Sequence, residues 1–213
     1  MQKSTEQNII FVAGLHGNER MPVKALAENN IPFILGNPKA YEKSVRFTER
    51  DINASFGLSC NEYECARAKE ILNEISEDAL VVDFHSTAHE ALPFVIIVDE
   101  KMISLAKQAG IERVVIMRHN IKRGHALINQ RKGISVESGI HQDQRSYQTA
   151  LDVVKNIQAG EKHPIVLYEV YDEIKKPGSY NNFQPHEEGF IPVLSNEPEY
   201  ESQGLFGLKA RKL

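Results

Sequence analysis

The feature that most constrains this chain is the regular alternation of short β-branched runs with longer segments whose apolar residues recur at helical spacing. The run IIFVA at 9–13 predicts a buried strand, and segment 63–75 predicts a helix with one apolar face. This alternation is typical of an α/β domain built around a largely parallel or mixed sheet. The predicted strands are 9–13, 31–35, 80–84, 94–98, 114–117 and 134–136, and the predicted helices are 21–29, 63–75, 101–109 and 145–159.

The composition changes near residue 174, after which proline, glycine and asparagine become frequent and separate short apolar pieces. These residue types favour turns, so we expect the C-terminal segment to form a small β-rich lobe that packs on the main domain. We therefore predict an α/β domain over residues 1–162 and a β-rich lobe over residues 163–213.

The overall composition excludes several classes of function. With 213 residues, 41% of them hydrophobic, the chain can bury a sizeable core. Its net charge of -4 lacks the basic footprint of a nucleic-acid binder and disfavours anionic membranes. The N-terminal residues do not resemble a signal peptide, and no apolar window reaches the length of a membrane span. A cytoplasmic location is therefore expected.

The chain has two cysteines, Cys60 and Cys65. Two cysteines are too few for a disulfide framework, and their spacing differs from that of structural zinc sites. Because cytosolic thiols are normally kept reduced, we expect both to be free thiols.

Two histidines and a glutamate follow predicted strands. The turn GLHGNE at 14–19 carries His16 and Glu19, and His85 follows the strand at 80–84. Open α/β sheets bind their ligands at the carboxyl ends of their strands, where these residues stand. Two histidines and a carboxylate that leave one position open are a ligand set of catalytic zinc. The alternative is that the three side chains only cap turns and strand ends.

Glu137 follows the short predicted strand at 134–136 and precedes Gly139. A carboxylate beside a metal site can take a proton from water and later deliver it to a leaving amine. The alternative interpretation is a solvated glutamate at the end of a strand.

The segment RFTERDIN at 46–53 combines charges that suit a hydrolytic site. Arg46 can polarise a carbonyl and stabilise a developing oxyanion. Asp51 can accept a hydrogen bond from a ligand histidine and so select its tautomer. The alternative is an ordinary charged loop.

In this order, these segments resemble the aspartoacylase and succinylglutamate desuccinylase family, relatives of the zinc carboxypeptidases. Members show Gly-x-His-Gly-Asn-Glu, then Arg followed by Asp-x-Asn-Arg, then Asp-x-His, then Glu-x-Gly. The resemblance covers almost the whole chain. It implies a three-layer α/β sandwich with a mixed, mostly parallel sheet, of the zinc carboxypeptidase type. It also implies hydrolysis of the amide bond of an N-acyl amino acid or a similar small amide.

The resemblance further implies a role for each matching residue. One zinc ion per chain is held by His16, Glu19 and His85. Glu137 is the catalytic base, and Arg46 polarises the scissile carbonyl.

Three more positions acquire roles through the same resemblance. Asp51 is the partner of the ligand His16, and Asn53 contacts the carboxylate of the substrate. The segment PVLSNEPEY at 192–200 is similar to the aspartoacylase segment whose tyrosine reaches into the substrate pocket, which implies that Tyr200 binds substrate.

One departure from the family pattern affects substrate recognition. The family has an arginine directly after the Asp-x-Asn asparagine, where it pairs with the substrate carboxylate, and this chain has Ala54 there. A methyl group cannot replace a bidentate guanidinium–carboxylate contact. Either another cation, such as Arg50 or Arg131, binds this carboxylate, or the substrate lacks it.

Two other functions stay open at this stage. A carboxypeptidase-like peptidase needs an anchor for a C-terminal carboxylate, and Ala54 removes the obvious one. A non-catalytic zinc-containing binding module needs neither Glu137 nor Arg46. The expected partner is a small-molecule substrate, with no nucleic acid or membrane, and a homo-oligomer is left open.

Overall fold

A single mixed sheet organises the molecule. The computed structural model describes residues 8–89 and 92–213, and its nine-stranded sheet has the order β2-β1-β3-β6-β4-β5-β7-β9-β8. The strands are β1 (Ile9–Ala13), β2 (Ile34–Leu35), β3 (Leu80–Thr87), β4 (Phe94–Ile97), β5 (Arg113–Met117), β6 (Gly133–Ile140), β7 (Val166–Ile174), β8 (Ile191–Val193) and β9 (Gly207–Lys212). The helices are α1 (Arg20–Glu28), α2 (Pro38–Lys43), α3 (Tyr63–Glu74), α4 (Ile103–Gln108), α5 (Leu127–Gln130), α6 (Gln144–Ala159) and α7 (Pro198–Glu201), with 3₁₀ turns at Ile52–Ala54 and Glu100–Met102.

Helices cover both faces of this sheet, because successive strand residues point to opposite sides. On one face, Val82 and Phe84 of β3 pack in the main core with residues of α1, α4 and α6. On the other face, Val81 of β3 packs with Ala68 and Ile71 of α3. This is the predicted α/β sandwich with a mixed, mostly parallel sheet. The strand pairs β1–β2, β1–β3, β3–β6, β4–β5 and β5–β7 are parallel, and β4–β6, β7–β9 and β8–β9 are antiparallel.

Two strands are longer than the sequence predicted. β3 continues to Thr87 and β6 to Ile140, so Glu137 lies within a strand and not after one. Both predicted strands ended too early, because buried polar residues interrupt their apolar runs. The short helices α2 and α5 were not predicted. In α2, Asn37 caps the helix by accepting a hydrogen bond from the amide of Ala40, and Pro38 occupies the first turn.

The predicted C-terminal lobe, 163–213, contributes three strands to the same sheet. β7 pairs in parallel with β5, and β9 and β8 add to it as antiparallel strands. A small apolar cluster of Ile174, Tyr180 and Phe190 closes this end of the molecule. The division at residues 162 and 163 stays a prediction. Among the described helices, none combines the length and the apolar character that crossing a membrane requires.

The expectation for the cysteines is wrong, because the structure joins Cys60 and Cys65 in a disulfide. Cys65 lies in the first turn of α3 and Cys60 in the loop before it. Their Cα atoms are 5.8 Å apart, which lies within the range that a disulfide spans. The turn into α3 therefore brings together two cysteines that we expected to be free thiols.

Candidate metal centre and active site

Alternation along two neighbouring strands places polar side chains on one face of the sheet. Asp83 and His85 of β3 point away from the main core, and in β6 so do Ser135 and Glu137. The register pairs Asp83 with Ser135 and His85 with Glu137. A buried polar patch therefore lies on β3 and β6, at the ends of these strands that carry their carboxyl termini.

Three side chains of the predicted ligand set converge beside this patch. His16 and Glu19 come from the turn after β1, and Nδ1 of His16 lies 2.7 Å from Oε1 of Glu19. Nδ1 of His85 lies 3.0 Å from Oε2 of the same carboxylate. One donor atom from each residue lies within 4.8 Å of the others, and all three residues are buried.

The turn that carries His16 depends on close backbone packing. A Cβ atom on Gly17 would lie 2.1 Å from the carbonyl carbon of Ala40 in α2. The backbone of Gly17 also donates a hydrogen bond to the carbonyl of Arg46, at 3.2 Å. Only glycine fits at this position, and the fit brings the turn against the loop that contains Arg46.

Each histidine is held by a second carboxylate through its outer nitrogen. Nε2 of His16 lies 3.0 Å from Oδ1 of Asp51, the contact that the resemblance implied. Nε2 of His85 lies 2.8 Å from Oδ2 of Asp83, a residue to which the sequence argument gave no role. The signal was available, because a strand places residues two apart on the same face. Nδ2 of Asn53 also lies 3.3 Å from Nε2 of His85.

The charges in this cluster stabilise one another. Burial would raise the pKa of Glu19, but the adjacent His16 and His85 lower it below its usual value. Burial would lower the pKa of His85, but the carboxylates of Asp83 and Glu19 raise it well above the usual range. In the same way, burial opposes ionisation of Asp51, and His16 and Lys122 nonetheless hold its pKa well below the usual range. The cluster therefore contains ionised carboxylates that suit a bound cation.

Arg46 and Glu137 line the same cleft as these donors. The guanidinium of Arg46 is 3.9 Å from Oε1 of Glu19 and 3.7 Å from Oδ2 of Asp51. Oε2 of Glu137 is buried, and it has no hydrogen-bond partner among residues 8–89 and 92–213. Burial raises the pKa of Glu137 to about 8, since the attraction of His85 offsets only part of the desolvation. A nearby positive charge or a hydrogen-bonded water molecule would stabilise the ionised form of this carboxyl group.

The loop that carries Arg46, Asp51 and Asn53 is held by one buried carboxylate. Glu64 of α3 is fully buried and accepts hydrogen bonds from the backbone and hydroxyl of Thr48, both at 2.7 Å. It also accepts from the backbone amide of Arg50 at 3.2 Å. Glu64 carries no motif in the sequence, because its contacts come from the tertiary fold.

His16, Glu19, His85, Arg46 and Glu137 line one cleft, which encloses about 710 Å³ when its open mouth is counted. Asn53 and Tyr200 line it, as the resemblance implied, and so do Lys122 and Glu197. Arg50 does not line it, and its guanidinium lies on the surface 3.7 Å from a carboxylate oxygen of Glu62.

Arg131, the other cation considered in place of the family arginine, is also engaged elsewhere. Its guanidinium donates to the backbone carbonyls of Leu72, Ile75 and Gln130. Lys122 is the cation that the sequence analysis missed. Its Nζ lies 2.7 Å from Oδ2 of Asp51 and 5.2 Å from the centre of the Tyr200 ring.

Comparison with known protein families identifies the family of the chain. The succinylglutamate desuccinylase/aspartoacylase catalytic domain matches residues 5–150 of the chain. The chain belongs to this family. The match contains every site residue predicted from the sequence except Tyr200, which lies beyond its end.

Similar proteins fall into the same group. A probable aspartoacylase from Prochlorococcus marinus (strain AS9601) is 37% identical over 106 residues, which cover 39% of this chain. This chain thus spans about a third (35%) of that relative. The succinylglutamate desuccinylase from Chromobacterium violaceum has a TM-score of 0.72 and 17% identity, over 97% of this chain and 85% of that one. Murine aminoacylase 3 has a TM-score of 0.74 and 17% identity, over 100% and 97%. Both solved structures have the same fold as this chain.

Proposed function

We propose that this protein is a zinc-dependent hydrolase that cleaves the amide bond of an N-acyl amino acid or a similar small amide. One observation carries the proposal. Nδ1 of His16 and Nδ1 of His85 both face the carboxylate of Glu19, while a different carboxylate holds the outer nitrogen of each ring. Metal-binding histidines typically donate the N–H of their other ring nitrogen to a carboxylate in this way.

The chemistry of the donor set fits one zinc ion. Two imidazoles and one carboxylate form a known catalytic zinc set, and a fourth position stays free for water or substrate. Asp51 and Asp83 would keep the protons of His16 and His85 on their outer nitrogens, so that each Nδ1 has a free lone pair. A zinc ion held here would acidify water and polarise a carbonyl.

The remaining residues supply the proton transfers and the charge stabilisation. Glu137, whose buried Oε2 has no hydrogen-bond partner in the described part of the chain, takes the proton of the attacking water. The guanidinium of Arg46 stabilises the negative charge that develops on the carbonyl oxygen. Glu137 then delivers the proton to the departing amine, which completes the cleavage of the amide bond.

Lys122 is the group we assign to the substrate carboxylate in place of the family arginine. Its ammonium group has three N–H donors, and Asp51 accepts a hydrogen bond from one of them at 2.7 Å. Asn53 and Tyr200 line the same cleft and complete the contacts. We expect Lys122→Met to raise KM about tenfold, with a smaller fall in kcat because Lys122 also pairs with Asp51, whereas the exposed Lys101→Met leaves both unchanged. An unchanged KM in Lys122→Met would refute this assignment.

Metal content and turnover, measured on the same samples, test the proposed function. Elemental analysis of the wild type should give about one zinc per chain, and His85→Ala should lose it. His119→Ala is the matched control, because His119 is partly exposed and pairs with Glu173 outside the cleft. Wild type reconstituted with zinc should hydrolyse members of a panel of N-acyl amino acids. A protein that binds no zinc after reconstitution would contradict the ligand assignment.

A further inference from the structure

One part of the cleft wall is apolar. It is formed by Ile96 of β4, Met117 of β5, Ile128 of α5, and Val98, Ile121 and Leu194 of adjoining loops. Alternation along the strands explains its place, because Ile96 and Met117 point to the same face as the polar patch on β3 and β6. The register puts Ile96 next to Ser135 and Phe94 next to Glu137. The apolar wall therefore begins at Ile96, beside Ser135, which lies two residues before Glu137 on β6.

The charges in the cleft leave this wall without a free cation. Among the described residues that line the cleft, the arginine and lysine side chains are Arg46 and Lys122, and both lie beside Asp51. The proposed function already assigns Arg46 to the carbonyl oxygen and Lys122 to the substrate carboxylate. Two further carboxylates, Glu197 and Glu199, line the cleft as well. A negatively charged group on the apolar wall would lose its hydration without gaining a cationic partner.

We infer that the part of the substrate that lies on this wall is uncharged and apolar. The inference rests on the proposed function, which sets the scissile carbonyl beside Arg46 and Glu137. The apolar group is either a longer acyl chain or an apolar amino-acid side chain. The wall excludes acidic substituents, such as the carboxylates of an N-acyl aspartate side chain or of a dicarboxylic acyl group.

Two substrate series separate these sources. In the first series, the amino acid is glycine and the acyl group lengthens from acetyl to butanoyl to hexanoyl. In the second series, the acyl group is always acetyl and the amino acid changes from glycine to valine to phenylalanine. Burial of each added methylene group raises kcat/KM by about fourfold in the series whose variable part lies on the wall. N-acetylaspartate and N-succinylglycine are the acidic comparators. We expect both to fall at least about tenfold below the best apolar substrate. A wild-type preference for either comparator would overturn the inference.

A charge introduced on the wall tests the same point from the protein side. Ile121 is partly buried on a loop, so Ile121→Arg should disturb the core little. We expect it to lower kcat/KM for the best apolar substrate and to shift the ratio toward its acidic comparator by about tenfold or more. Ile103→Arg is the matched control, because Ile103 is a partly buried isoleucine outside the cleft. An unchanged ratio in Ile121→Arg would also overturn the inference.

A binding measurement separates failure of this inference from failure of the proposed function. The same compounds are titrated calorimetrically into zinc-loaded Glu137→Gln protein with and without Ile121→Arg. If no compound is hydrolysed by the wild type, but the apolar ones bind and Ile121→Arg weakens them, the proposed function falls and the inference stands. If the apolar compounds neither bind nor react, the inference falls.

Discussion

The two histidines are supported by carboxylates, Asp83 for His85 and Asp51 for His16, that differ in how the fold positions them. His85 and its partner Asp83 stand two residues apart on β3, and both are buried in the middle of the sheet. His16 and its partner Asp51 are separated by 35 residues, and Asp51 lies on a loop. That loop is held by Glu64 of α3 and by the ion pair with Lys122. The strand-borne support is thus local, whereas the loop-borne support depends on tertiary contacts.

This difference shows where the site can change. A strand in a sheet fixes its side chains to within the freedom of a rotamer, so the His85 support is insensitive to changes elsewhere. The loop-borne support involves several separate segments, and it includes the position where Ala54 replaces the family arginine. We therefore expect the loop to adapt substrate binding, and the strands β3 and β6 to hold the groups that the reaction requires.

The largest effect should come from the reactive residue on the strand side. Glu137→Gln removes the general base but keeps the size of the side chain, so turnover should fall by about 10² to 10⁴-fold. Zinc content should stay at the wild-type value, because Glu137 is outside the donor set. Steady-state kinetics and elemental analysis on one sample check both statements. Retained turnover in this variant would contradict the role of Glu137.

The two supports can be compared directly with Asp83→Asn and Asp51→Asn. Loss of either carboxylate should weaken zinc binding by about 10- to 100-fold. We expect the larger loss of zinc affinity for Asp83→Asn, because Asp83 is fully buried. The Asn53 amide nitrogen, which also lies near Nε2 of His85, is a donor and cannot accept the N–H in place of Asp83. Competition with a chelator measures both affinities. Equal losses would remove the distinction between the strand-borne and the loop-borne support.

The anchor of the loop is tested by Glu64→Gln. The amide keeps one acceptor oxygen but loses the charge that receives the donors of Thr48 and Arg50, and we expect the free energy of unfolding to fall by about 2 kcal/mol. Hydrogen exchange should quicken at the amides of residues 48–50. Glu62→Gln is the matched control, since Glu62 is a partly exposed neighbour paired with Arg50. Unchanged exchange in Glu64→Gln would show that another contact holds the loop.

The smallest expected effect is a change in the pH dependence of stability caused by Glu197. This residue accepts hydrogen bonds from the amide of Ala88 and so joins the C-terminal segment to the end of β3. Burial raises the pKa of Glu197 to about 7, above the ordinary value of 4.5. The folded protein therefore keeps a proton that the unfolded chain releases. The stability this contributes is complete below pH 4.5 and is lost as the pH rises through 7.

Between pH 5 and pH 6, this linkage should lower the free energy of unfolding by about 1 kcal/mol. Urea denaturation of the metal-free protein at the two pH values measures it, and Glu197→Gln should remove that part of the pH dependence. If wild type and Glu197→Gln show the same pH dependence, the carboxyl of Glu197 titrates normally.

Much of the fold was predictable because local patterns carry it. Period-two alternation and apolar runs identified β1, β4 and β5 to within one or two residues, and helical spacing identified α3 and α6. The predictions failed where a buried polar residue interrupts an apolar run, as in β3 and β6. They also failed for the disulfide, since the approach of Cys60 to Cys65 depends on a turn that has no periodic pattern.

By itself, the sequence determined the α/β class, the two strands that position His16 and His85, and the family to which the chain belongs. These features rest on residue order and on the fixed periods of strands and helices. The tertiary structure decided that Asp51 reaches His16, that Lys122 enters the cleft while Arg50 stays outside, and that Glu64 holds the loop. Such contacts join residues far apart in the chain, and they depend on how the elements pack, which no local period encodes.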